Sequence, residues 1–253
     1  MQPHKSEYWL FPKETGTEEF KERVSKISEL YIDIAKDVAD KNTNYYSSDE
    51  KTGVQAISRA SAKSMTKGYI EKVESEYQRN GTQCLIASKD LKTGKIVEYS
   101  IGQTRTEEDY LTHIQNIVKL NPQENTVIFC DQLNTHKSES LVNWIAQTIG
   151  HTGDLGIKGK VGILESQKTR QAFLEDESHK IRFLYTPKHC SWINQIENWF
   201  GILQKKVIKR GNFPSTENLK QKMIDFIIYY NKCMAKPFRW KSKCEKIIMS
   251  LMI

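Results

Sequence analysis

Asp49, Asp131 and Glu197 are the residues of this 253-residue chain whose types and settings could do chemistry. Asp49 lies in residues 44–57, where Val54 and Ile57 suggest a strand, the first of a sheet. Asp131 ends Thr126-Val127-Ile128-Phe129-Cys130, a continuous apolar run of the kind that forms a central buried strand. Carboxyl ends of strands are where sites form in α/β sheets. Glu197 falls on a helix after the last strand. Three carboxylates brought to one point repel one another and make chemical sense only with a cation. Mg²⁺ prefers hard oxygen ligands, binds by one or two carboxylates and keeps positions for phosphate and water. Two such ions about 3.5–4 Å apart clamp the attacking and leaving oxygens of an in-line displacement at phosphorus. Each acid taken singly also has a plainer reading: a turn or cap for an Asp at a strand end, a solvated charge for a Glu on a helix. Spacing alone does not make the three converge.

The elements that would position them follow from periodicity. A helix starts at Thr17, with Phe20, Val24, Ile27, Tyr31, Ile34 and Val38 as its inward stripe. Residues 58–80 are a polar, basic excursion. Gln83–Ser88 and Ile96–Ile101 are short β-rich runs around a hairpin turn at 92–95. Thr106–Leu120 is helical and Asn121-Pro122 ends it. Lys137–Ile149 is helical, 150–179 is an insertion of mixed character, and Ile181–Tyr185 is another strand. Ser191 is the expected N-cap of a helix reaching about Lys209, with Trp192, Ile196, Trp199, Leu203 and Val207 on its apolar face. Glu197 then sits roughly 110° from the centre of that face, at its flank. Gly201, one turn on, leaves room for an approaching group. A last helix spans Ser215 to about Lys232. The order predicts an α/β fold, a mixed sheet flanked by helices. The expected division is an N-terminal arm and helix (1–40), a catalytic domain (41–210) with its insertion at about 150–179, and a C-terminal helix and tail (211–253).

Composition agrees with a globular chain: 38% hydrophobic and 27% charged residues are too apolar for disorder. A formal charge of +7 suits a polyanionic partner, although a lysine-rich solvated surface gives the same number. The five cysteines, Cys84, Cys130, Cys190, Cys233 and Cys244, are odd in number and scattered. They fit free thiols in a reducing cytoplasm rather than a disulfide framework or zinc cluster. No run is long enough for a membrane span, so no membrane association is expected.

Four blocks of sequence carry a resemblance: Asp49-Glu50-Lys51-Thr52-Gly53-Val54-Gln55-Ala56, residues 76–85, Asp131-Gln132-Leu133-Asn134-Thr135-His136-Lys137-Ser138, and residues 185–200, which hold Asn194-Gln195-Ile196-Glu197-Asn198-Trp199-Phe200. A weaker fifth block is residues 234–238. In this order they resemble the bacterial insertion-sequence transposases of the mariner superfamily (the IS 630 group). The resemblance implies a ribonuclease H-like fold. It implies a DDE metal site carried onto Asp49, Asp131 and Glu197, with Mg²⁺ as cofactor and Mn²⁺ able to substitute. It further implies cut-and-paste transposition, with DNA (element ends and target) as partner, and assembly as a homodimer on DNA near the nucleoid. Departures are the polar Asn44-Tyr45-Tyr46-Ser47-Ser48 before Asp49, Gln132 where Asn is usual, and an unfamiliar tail after Trp240. The family's N-terminal helix-turn-helix is not recognisable either, so a truncated chain is expected, with phosphate-driven DNA binding and little preference for element ends.

Other residues remain open. His136 could orient a carboxylate, touch phosphate or cap the next helix. Asn194 could steady the site one turn before Glu197. Glu50 should point to the opposite face of the strand from Asp49 and so reads as structural. Lys205, Lys206, Lys209 and Arg210 could follow a DNA backbone; Lys158, Lys160, Lys168 and Arg170 of the insertion are weaker choices. Trp192 and Trp199, at helical spacing, read as core. Two rivals stand beside the enzyme: a non-catalytic DNA-binding or regulatory remnant, and a nuclease of similar fold acting on RNA–DNA hybrids.

Overall fold

The computed structural model describes residues 17–59, 62–63, 72–73, 76–188, 190–209, 211–237 and 240. The expected arm over 1–16, Arg210 and the tail beyond Trp240 lie outside them. Helix α1 (Glu18–Ala35) starts at Thr17, whose hydroxyl accepts the Phe20 N–H. Phe20, Val24, Ile27, Tyr31 and Ile34 are buried as the stripe requires, but Val38 is not. The helix stops at Ala35, Asp37 takes a left-handed φ of 57°, and Val38 is left in solvent.

Strand β1 (Thr43–Ser58) is followed by two short pieces, β2 (Ala62–Lys63) and β3 (Lys72–Val73), that pair antiparallel. The excursion is therefore partly paired, and it ends earlier than the sequence suggests, because β4 (Gln78–Asp90) begins well before Gln83. After β5 (Ile96–Gly102) come α2 (Glu107–Leu120), β6 (Asn125–Cys130), α3 (Glu139–Ile149), α4 (Gln167–Leu174), β7 (Ile181–Tyr185), α5 (Gln195–Leu203) and α6 (Thr216–Cys233). The five-stranded sheet has the order β5-β4-β1-β6-β7, antiparallel from β5 to β1 and parallel from β1 to β7.

Alternation along the strands divides the core in two. Tyr46, Ile86, Ile128 and Cys130 face α2 and α3. Tyr45, Val127 and Phe129 face α1, while Leu85 and Ala87 face α5 and α6. Asp49, an odd-numbered neighbour of Tyr45 along β1, therefore belongs to the α1/α5 side and Glu50 to the α2 side.

The 150–179 segment is less of an appendage than its composition implies. Leu164, Phe173 and Leu174 join the α2/α3 core. Arg170, expected as a possible DNA contact, is buried; its Nε donates to the Lys137 carbonyl at 2.7 Å and its Nη1 to the Leu164 carbonyl at 2.9 Å. Replacing it strands two buried acceptors. Arg170→Ala is expected to lower unfolding free energy by roughly 2 kcal/mol and leave the salt dependence of DNA binding unchanged. A loss of DNA affinity without a loss of stability in denaturant titration would return Arg170 to the DNA surface.

Candidate metal centre

Asp49 is almost wholly buried inside β1, in a stretch whose two serines are not core fillers. The Ser47 hydroxyl accepts the Ile196 N–H at 2.8 Å and donates to the Asn194 side-chain carbonyl. It thus satisfies one of the orphan donors at the start of α5 from a different element. Asn194 is the N-cap residue of α5, yet its side chain makes no cap bond. Its amide turns to Asp49 instead, donating to Oδ2 at 3.0 Å and to the Ser48 carbonyl at 3.2 Å. The polar run before Asp49, unexpected in a strand, is what docks α5.

That docking corrects the expected helix. Ser191 does not cap it: Ser191–Ile193 form a 3-10 turn, and α5 starts at Gln195. Trp192 lies outside the helix and is 39% exposed, whereas Trp199 is buried as expected. The α-helical period ends at Leu203, and Gln204–Ile208 form a π turn, which leaves Val207 only partly buried. Lys205, Lys206 and Lys209 are exposed on and after this turn. Space around Gly201 is open, since a Cβ there would meet nothing within 4 Å.

Asp131 follows β6 directly. Its Oδ1 accepts the Leu133 N–H at 2.9 Å and faces His136 Nδ1 at 2.8 Å. His136 is fully buried in the 3-10 turn Asn134–Lys137, and its Nε2 meets Glu50 Oε2 at 3.0 Å. Donor atoms of Asp49, Asp131 and His136 lie within 4.8 Å of one another. With both ring nitrogens engaged by carboxylates, His136 orients Asp131 rather than offering a lone pair. Glu197 is in the first turn of α5, outside that cluster, and its carboxyl feels the charges of Lys51 and Asp131.

The electrostatics are those of buried acids brought close together and only partly compensated. Burial, and then the Asp131 charge, push the Asp49 carboxyl up to about 7. Burial also raises Glu197; Lys51 pulls it back and Asp131 adds to the rise. Burial would raise Asp131 too, but the hydrogen bond and charge of His136 outweigh it and hold the carboxyl below the ordinary aspartate range. Burial opposes the His136 imidazolium, yet hydrogen bonds to Asp131, Cys130 and Glu50 overcome it and lift its pKa well above the usual value. A hard-oxygen donor set with one carboxyl held near neutrality fits a divalent cation, whose charge would relieve the repulsion.

Residues 44–220 match the model of a family described as DDE superfamily endonuclease. The chain belongs to that family. The catalytic domain of Mos1 mariner transposase has the same fold as this DDE endonuclease, with 12% identity and a TM-score of 0.50, covering 96% of this chain and 95% of that domain. The Mos1 mariner paired-end complex with Mn is similar at 13% identity and a TM-score of 0.55, over 98% of this chain. The chain spans 64% of that Mos1 chain. At such identities the likeness is one of fold: a ribonuclease H-like mixed sheet flanked by helices. No curated protein sequence matches.

Lys51 and Arg59 escaped the sequence reading. Both line a groove of about 430 Å³ with Gln55, Gln204 and Lys209, beside Glu197's helix. Alternation from Asp49 along β1 was the signal that could have found Lys51.

Proposed function

We propose that this DDE endonuclease is the catalytic part of a bacterial insertion-sequence transposase. It hydrolyses a phosphodiester at an element end and joins the freed 3′-hydroxyl to target DNA. Asp49, Asp131 and Glu197 are its metal ligands, for Mg²⁺ or for Mn²⁺ in its place, and two copies assemble on DNA in the cytoplasm. The observation that carries the reading is geometric: Asp49, buried in β1, and Asp131, at the end of β6, bring their carboxylates together with His136, with donor atoms within 4.8 Å of one another. Bound there, the metal supplies Lewis acidity to the phosphoryl oxygens and lowers the pKa of the attacking hydroxyl. Asn194 and His136 each hold one carboxylate in place. Glu197, in the first turn of α5 and within the influence of the Asp131 charge, would be the third ligand. Lys51, Arg59 and Lys209 offer positive charge to the DNA backbone along the groove that leads away from Glu197.

Incubation of the purified chain with duplexes carrying the element ends, with Mg²⁺, Mn²⁺ or EDTA, tests this directly. Metal-dependent nicking is expected. A folded chain that binds DNA but cuts it with neither metal would be a regulatory remnant. For the DNA surface, Lys205→Gln, Lys206→Gln and Lys209→Gln combined are expected to flatten the slope of log affinity against log salt by about 2–3, near 0.9 per lost phosphate contact. An unchanged slope would remove these lysines from the interface.

A further inference from the structure

Glu50 immediately follows Asp49, and its side chain is only 1% exposed. It points to the other face of β1, into the core around Tyr46, Ile86 and Tyr110. A carboxylate so placed is costly unless paired. Its partners are His136 Nε2 at 3.0 Å and, more distantly, the Thr135 hydroxyl at 3.4 Å. The imidazole is pinned further: Tyr110 packs on it with ring centroids 4.2 Å apart, and the Tyr185 hydroxyl donates to the His136 carbonyl at 2.6 Å. The other ring nitrogen reaches Asp131 Oδ1, the same oxygen that accepts the Leu133 N–H. Both bonds fall on one oxygen, Oδ1, and the carboxylate so held lies in the cluster whose Asp49, Asp131 and His136 donor atoms are within 4.8 Å of one another.

We propose that Glu50 is a positioning residue for the metal centre, acting through His136 to fix which oxygen Asp131 presents. The two neighbours in sequence then serve the same centre from opposite faces of the sheet: Asp49 directly, Glu50 by a Glu50–His136–Asp131 chain whose first two members are buried. This rests on the reading of Asp131 as a metal ligand. Partners behind a ligand in this way typically change metal affinity by about 10–100-fold when removed.

The test is Mn²⁺ binding to the whole chain, followed by electron paramagnetic resonance of the free ion, with circular dichroism and melting recorded alongside. Glu50→Gln keeps the shape and an acceptor; Glu50→Asp keeps the charge but ends one methylene short of His136. Both are expected to stay folded and to bind Mn²⁺ about 10-fold more weakly. In a His136→Asn background, the same Glu50 substitutions should change affinity less than about 2-fold, since an effect carried through a shared partner disappears with it. Wild-type affinity in either folded Glu50 variant overturns the proposal, as does an equal loss in the His136→Asn background. So does a fall in melting temperature of the same size with and without Mn²⁺ at unchanged affinity, because that is what a plain core brace would give. Asp131→Asn is the separate control: if it binds Mn²⁺ as tightly as wild type, the assignment of Asp131 as a ligand fails, whatever Glu50 does.

Discussion

Asp131→Asn and Glu197→Gln are each expected to cut metal-dependent DNA nicking by on the order of 10³-fold or more. Removing one carboxylate from a metal clamp forfeits several kcal/mol of charge stabilisation, at about 1.4 kcal/mol per decade of rate. Affinity for DNA should change little or even rise, since each substitution removes a negative charge beside the phosphate path. Gel-based nicking with Mg²⁺ and equilibrium binding on the same duplex separate the two quantities. Cleavage within 10-fold of wild type by either folded variant would remove that residue from the chemistry. Glu197 is the sharper case, because it stands outside the cluster formed by Asp49, Asp131 and His136.

The second large effect is on stability. Repulsion among three acids suggests that removing any one steadies the metal-free fold, but the geometry gives that role to Asp49 rather than Asp131. Asp131 is paired with His136 and sits below its ordinary pKa, so its loss would strand a buried imidazole. Asp49 sits at about 7. Between its unfolded pKa, near 3.9, and 7, the folded chain holds a proton that the unfolded chain lacks. Stability therefore falls as pH rises through that window and stays low above it. Asp49→Asn mimics the protonated form. It is expected to be more stable than wild type at pH 8 by on the order of 3 kcal/mol, or about 5–10 °C in melting temperature, with little difference near pH 4. Saturating Mg²⁺ should narrow the gap at pH 8 by stabilising wild type alone. A variant that melts with wild type at pH 8 without metal would show that burial and the Asp131 charge do not raise the Asp49 carboxyl.

What the sequence made legible was whatever rests on apolar pattern. The Thr126–Cys130 run gave a central strand with Asp131 at its end, and helices α1, α2 and α6 lie where the sequence places them, although α1 stops before Val38. Less legible was anything in which polar residues do structural work. The Asn44–Ser48 segment lacks a strand's apolar alternation because Ser47 is spent on Asn194 and Ile196. Arg170 is a cation by type and a core brace by contact. Trp192 continues a helical stripe in spacing, but a 3-10 turn intervenes and leaves it in solvent. The π turn at Gln204–Ile208 inserts a wider ring into what reads as one uninterrupted helix. The carboxylates were visible as residues; their mutual geometry depends on long-range bonds that no local pattern encodes.

The hydroxyl of Ser47 that receives the first turn of α5 comes from 149 residues earlier in the chain. Nine residues are too few for a helix to persist alone in water, and this one carries no side-chain cap of its own. Its first turn therefore gains order only once the sheet exists to receive it, and Glu197 arrives with it. In kinetic terms, substitutions there should accelerate unfolding while leaving the folding rate almost untouched. During synthesis, a chain that has emerged only as far as β7 can already hold both aspartates on a finished sheet. On the proposed reading, Glu197 would then join the two aspartates only as one of the last events of the chain's own maturation.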